Sequence, residues 1–205
     1  MPYFTIEQVT TSAVENLSRA GLEATLANAE RQFVNESTLR RLPPVPEESI
    51  ATPPVLFDIF LSHSSLDHLQ VLGIYYLLVG RHYSVYLDHI CDPLLKPTLV
   101  TRATARVLRY RMAQCKSLFV ATSANITHSK WVPWELGFMD GWNAKAAVLP
   151  IVPSATPVFK GQEYFDLYPE VRDSPGHIRP DDLDIYDQNH FLASWGAWLG
   201  LPRKF

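Results

Sequence analysis

The segment SKWVPWELGF, residues 129–138, sets Trp131 and Glu135 four positions apart, with Trp134 directly before the carboxylate. On a helix that spacing stacks Trp131 and Glu135 on one face. Glu135 then falls in the first turn, where unpaired backbone N–H groups favour an anion. An aromatic platform beside a carboxylate suits a flat cationic ring, and the positive charge left on a sugar carbon as such a ring departs. The same residues have ordinary structural uses. Glu135 can be a helix-terminal charge, and Trp131 and Trp134 can anchor a loop by packing.

The elements that must carry this segment read as alternating strands and helices. VLFDIFLS (55–62) is a short apolar run of strand formers, as expected of a strand buried on both faces. Leu66, Leu69, Leu72, Tyr76 and Val79 recur at helical spacing up to Gly80, predicting a helix over 66–80. YSVYLD (83–88) predicts a second strand, and Pro93 and Pro97 make the following stretch a long loop. Thr101 can cap a helix running to Cys115, with Arg102, Arg106 and Arg109 on its wet side. Strands are predicted at 117–123 and 146–152, separated by the helix that begins near Pro133. This order is that of an α/β protein with a parallel sheet, helices on both faces and right-handed crossovers.

Before this unit, residues 5–40 show helical periodicity, with Val9, Ala13, Leu17, Ala20, Ala24 and Ala27 recurring at three or four. Five prolines between Pro43 and Pro54 then forbid a helix. The expected division is a helical extension with a proline-rich linker over 1–54 and the main domain over 55–205. At the far end, 189–201, with Phe191, Trp195 and Trp198, reads as a closing helix.

Ligands of open α/β sheets bind beyond the carboxyl ends of the strands. Three segments meet that condition: Ser62, His63 and Ser64; Asp88 to Pro97; and Ser123 to Glu135. No GxGxxG or GxxxxGK[ST] cradle is present, which leaves dinucleotide oxidoreduction and P-loop chemistry unsupported. The seven histidines show no HExxH or paired spacing, so no metal or other cofactor is expected. The bond between nicotinamide and ribose in NAD+ has the form that Glu135 and its indoles suit. It needs a single carboxylate, because the ring leaves neutral without a proton donor, unlike an ordinary glycoside. Other uses stand beside these: Ser62 and Ser64 as helix caps, His63 as a hydrogen-bonded turn residue, Asp88 as a partner for loop backbone.

Composition narrows the partners. The 205 residues are 47% hydrophobic and 19% charged, enough to build a core, and their net charge of −3 supplies no field to gather nucleic acid or anionic lipid. Two cysteines without paired spacing argue against a disulfide scaffold and fit a reducing cytoplasm. Neither a leader-like start nor a run of about 18 apolar residues is found, so no membrane association is expected.

FDIFLSHSSLD, YSVYLD with the later Asp92–Pro93, RMAQCKSLFVATSAN and SKWVPWELGFMDGW together resemble the bacterial Toll/interleukin-1 receptor (TIR) domain family, in order, over about residues 56–153. The resemblance implies a flavodoxin-like TIR fold and, as in many bacterial members, cleavage of NAD+ as substrate by a Glu at the position of Glu135. It implies substrate contacts from Trp131 and Trp134, from Ser62, His63 and Ser64, and from Asp88 and Asp92 on a loop that closes over the ligand. Relatives of this kind resemble the sensor subunits of Thoeris anti-phage systems, which make cyclic or modified ADP-ribose for a separate effector and self-associate through TIR domains. Two other readings stay open: a non-catalytic TIR adaptor, and a deoxyribosyltransferase-like enzyme that shares the sheet and a catalytic Glu.

Overall fold

The computed structural model describes residues 3–19, 42, 45, 53–92, 95, 100–123, 125–153, 162–173 and 183–202. At its centre three strands lie parallel and deeply buried: β2 (Phe57–Ser62), β4 (Cys115–Thr122) and β5 (Ala146–Val152). With β3 (Val85–Tyr86), β6 (Glu170–Arg172), β7 (Asp184–Asp187) and β8 (His190–Ser194) they form one sheet in the order β3-β2-β4-β5-β6-β7-β8. The first five strands of that order pair in parallel. Their order, second-first-third-fourth-fifth, is the flavodoxin-like one, and it puts a topological switch between β2 and β4.

Alternation along β4 explains the two-sided core. Phe119 and Ala121 enter one apolar cluster, with residues of α1 (Ile6–Arg19) and α2 (His68–Gly80). Leu118 and Val120 enter the other, with residues of α4 (Arg102–Ala113) and α5 (Val132–Asn143). A period of two on a strand buried on both faces requires this division. Thr101 caps α4 as expected, its hydroxyl accepting from the Thr104 N–H at 3.1 Å.

The helical period read over 5–40 is realised as α1 over Ile6–Arg19, which buries Val9, Ala13 and Leu17, and residues 20–41 lie outside the described ones. Ahead of it β1 (Phe4–Thr5) pairs in parallel with Ile151 and Val152 of β5. Phe4–Arg19, read from the sequence as part of an extension, therefore shares the core of the unit that follows. The crossing of α1 on α2 is close enough to require glycine at position 73, where a Cβ would stand 1.8 Å from the Val9 carbonyl oxygen.

Three expectations need correction. The second strand is Val85–Tyr86 rather than 83–88, and Asp88–Cys91 forms a helical turn, α3, in place of loop. The closing helix expected over 189–201 is half strand: β8 pairs antiparallel with β7, and only α6 (Trp195–Gly200) is helical. Gln188 and Asn189, with φ of 46° and 69°, join the two strands, the positive-φ pair that a tight two-residue hairpin demands. Phe191, Trp195 and Trp198 imitate a helical period, but the hairpin fixes the backbone of the first of them. The sheet consequently ends in an antiparallel edge.

Candidate active site

The cleft lies at the carboxyl ends of β2 and β3, beside the switch point. About 270 Å³ in volume, its lining includes Ser62, His63, Asp88, Trp131 and Glu135. Ser62 closes β2, and Asp88 opens α3 two residues past the end of the neighbouring strand. Glu135 comes from α5, whose first turn contains Pro133. The Glu135 N–H bonds the Trp131 carbonyl at 2.8 Å, and the Ser129 hydroxyl accepts from the Val132 N–H at 3.3 Å. This short-range geometry sets Trp131 and Glu135 on one helical face, as their spacing predicts.

Glu135 is only 6% exposed, and Ser62 donates its hydroxyl proton to the Glu135 carboxylate at 2.6 Å. Burial raises the carboxyl pKa to about 8; the Ser62 hydrogen bond opposes that rise and the nearby charge of Asp88 adds to it. The site thus holds a carboxylate that is costly to ionise and strongly attracts any cation brought beside it.

Asp88 behaves oppositely. Burial would raise its pKa, but the hydrogen bond from His89 and the charges of His63 and His89 prevail and hold it at about 2. His63 is pushed down by burial, against the pull of Asp88. Its Nε2 lies 3.9 Å from Asp88 Oδ1 while its Nδ1 faces the Leu61 carbonyl at 3.3 Å.

The other expected contacts are placed elsewhere. Ser64 is buried in the turn before α2, where its hydroxyl accepts from the Leu66 N–H at 3.4 Å. Trp134 packs edge-on against Trp131, with ring centroids 5.3 Å apart, and does not line the cleft. Asp92 also lies off the cleft lining: its carboxylate accepts from Arg111 Nε at 2.8 Å and Nη2 at 3.1 Å, and from the Tyr86 hydroxyl at 2.8 Å. Pro93, Leu94 and residues 96–99 of the expected loop lie outside the described residues.

The cleft also contains His68 from the start of α2, which sequence reasoning missed, and His89, Ser129 and Lys130, which lie inside the flagged segments but were not singled out. Adjacency to Asp88 could have flagged His89. No local pattern marks His68. Three of the histidines that look scattered along the chain converge here, with the rings of His63, His68 and His89 5.4 to 6.4 Å apart. Asp67, at the amino end of α2, accepts from the Ser123 hydroxyl and from Asn125 Nδ2 at 2.8 Å, tying the loop after β4 to the loop after β2. That tie fixes two walls of the cleft relative to each other.

No protein-family model matches the chain. It is 50% identical over 117 residues to a Bacillus cereus (strain MSX-D12) protein provisionally named 3' cyclic ADP-D-ribose synthase ThsB', the match covering 57% of this chain and 61% of the relative. It is 32% identical over 84 residues to a Cytobacillus dafuensis protein provisionally named cyclic ADP-D-ribose synthase TIR2, covering 40% of this chain and 22% of the relative. The matches therefore span less than two thirds of either relative's length.

Proposed function

We propose, from its similarity to two proteins named as cyclic ADP-D-ribose synthases, that the chain is a Thoeris-type bacterial TIR protein that cleaves the nicotinamide–ribose bond of NAD+ and converts the remainder into a cyclic or otherwise modified ADP-ribose. The observation that carries this reading is the buried Glu135 carboxyl, held by Ser62 and sharing with Trp131 the lining of a cleft at the sheet's switch point.

In that cleft the pyridinium ring binds with its positive charge against Trp131 and Glu135, each attracting it electrostatically. As the bond between the ribose C1' and the ring nitrogen breaks, its electron pair leaves with nicotinamide, which becomes neutral. The positive charge passes to C1' and its ring oxygen, where the Glu135 carboxylate stabilises it. Attack by water gives ADP-ribose; attack by a nucleophile within the same molecule, with water excluded, gives a cyclic product. The names of the two relatives favour the cyclic branch.

The wider reading belongs to the same proposal. The product serves as a signal in anti-phage defence for a separate effector, made by a cytoplasmic protein that self-associates through its TIR domain. The two cysteines Cys91 and Cys115 are free, as a reducing compartment keeps them. No helix among the described residues is long and apolar enough to cross a membrane.

Incubating concentrated protein with NAD+ and identifying every product by mass spectrometry tests the reaction. Nicotinamide with a cyclic ADP-ribose isomer is expected from the native chain, and neither from Glu135→Gln. A folded native protein that releases no nicotinamide at any concentration would refute the enzyme and leave the adaptor reading.

A further inference from the structure

The described residues hold one histidine–carboxylate group whose ligand atoms all lie within 4.8 Å of one another: His63, Asp88 and His89. We propose that these three side chains form a binding site for a divalent transition-metal ion of the zinc class at the mouth of the cleft.

The distances suit such an ion. Asp88 Oδ1 stands 3.3 Å from His89 Nδ1 and 3.9 Å from His63 Nε2. Bonds of about 2.0 to 2.2 Å in tetrahedral geometry put ligand atoms roughly 3.3 to 3.5 Å apart. The Asp88–His89 edge has that length already, and the Asp88–His63 edge must shorten by about half an ångström, within reach of side-chain rotation.

Orientation is also prepared. With its Nδ1–H donating to the Leu61 carbonyl at 3.3 Å, His63 turns the Nε2 lone pair toward Asp88. A backbone carbonyl behind the distal nitrogen is the usual support of a metal-binding imidazole, fixing both tautomer and ring. Asp88 is steadied in turn by the His89 backbone N–H, which donates to Oδ1 at 2.8 Å.

The donor set chooses the ion. Two imidazoles and one carboxylate favour zinc, cobalt, nickel or copper, whereas magnesium and calcium prefer oxygen ligands throughout. Three protein ligands facing an open cleft leave a coordination position for water or a ligand atom, unlike the closed four-ligand shell of a structural zinc site. Side-chain exposures of 8% for His63, 16% for Asp88 and 28% for His89 grade outward, giving an ion a path from solvent. This inference rests on geometry and not on the proposed reaction, so the two can fail separately.

The test titrates the full chain, stripped with a chelator, with Zn2+ by calorimetry and with Co2+ by visible absorption. Expected are saturable binding of a single equivalent and the intense Co2+ bands of a low-coordinate site. His89→Ala and Asp88→Asn should weaken binding by about tenfold or more, whereas His190→Ala, on the distant strand β8, should leave it unchanged. A footprint on the native chain needs no variant: Zn2+ should protect His63 and His89 from acylation by diethyl pyrocarbonate, read residue by residue by mass spectrometry. Absence of saturable binding, or protection of other histidines only, overturns the site whatever the variants do.

Discussion

Replacing Ser62 with alanine isolates the single hydrogen bond that favours an ionised Glu135. In the native chain the carboxyl pKa is about 8, so roughly a tenth of the protein carries the carboxylate at about pH 7. The second-order rate constant kcat/KM for nicotinamide release, which reports the free enzyme, should therefore climb about tenfold between about pH 7 and a plateau above about pH 9. The Ser62 hydroxyl donates at 2.6 Å to a carboxylate out of water. Such a charge-assisted bond is worth about 1.5 to 3 kcal/mol, or about one to two pKa units. Ser62→Ala should displace the whole profile to higher pH by that interval and lower kcat/KM at about pH 7 by tenfold or more. The assay is initial-rate nicotinamide release across the pH range, with Ser62→Thr as the variant that keeps the hydroxyl. A merely structural loss would depress the rate at every pH without moving the midpoint. A native profile that is flat across this range, or a midpoint that moves to lower pH in Ser62→Ala, would refute the reasoning.

The remaining predictions concern charge, packing and the platform. Glu135→Gln should lower nicotinamide release by about a hundredfold or more, because the transition-state charge loses its counterion. Since burial raises the folded pKa of Glu135 above its ordinary value of 4.5, the stability gained by keeping it protonated is fully present below that value and lost as pH rises through about 8. The Gln variant should accordingly melt higher than the native chain at alkaline pH and not at about pH 4; equal melting temperatures at alkaline pH would show that the carboxyl is not desolvated. Gly73→Ala should destabilise the fold by about 1 to 3 kcal/mol in urea unfolding, because its Cβ would meet the backbone of α1. An unchanged midpoint would mean that α1 does not cross α2 there. Trp131→Ala should raise KM by about tenfold with a smaller effect on kcat, the loss of one cation–π contact. If KM stays put, Trp131 supports the loop and does not hold the ligand.

Short-range order was legible along the chain wherever one element's own geometry decides it. Buried strands at 57–62, 115–122 and 146–152 announce themselves as apolar runs, and Leu72, Leu108 and Leu136 mark the buried sides of helices at the expected period. The relation between Trp131 and Glu135 was readable for the same reason, since a four-residue separation is a fixed displacement on a helix. The β7–β8 hairpin was not, because aromatic residues at 191, 195 and 198 fit a helix equally well. Its strand conformation is won by hydrogen bonds to β7.

The alternating pattern of strands and helices determined a sheet covered on both faces, and the segment around Glu135 determined that Trp131 and Glu135 share one helical face. Tertiary structure decided the rest. It joined Ser62 to a glutamate 73 positions away, bound Asp92 to Arg111 instead of the cleft, and collected His63, His68 and His89 around Asp88. Hydrogen bonds and ion pairs reach only a few ångströms, so their partners are fixed by which strand ends become neighbours in the sheet. Burial, which moves Glu135 and Asp88 in opposite directions, comes only from that assembled packing.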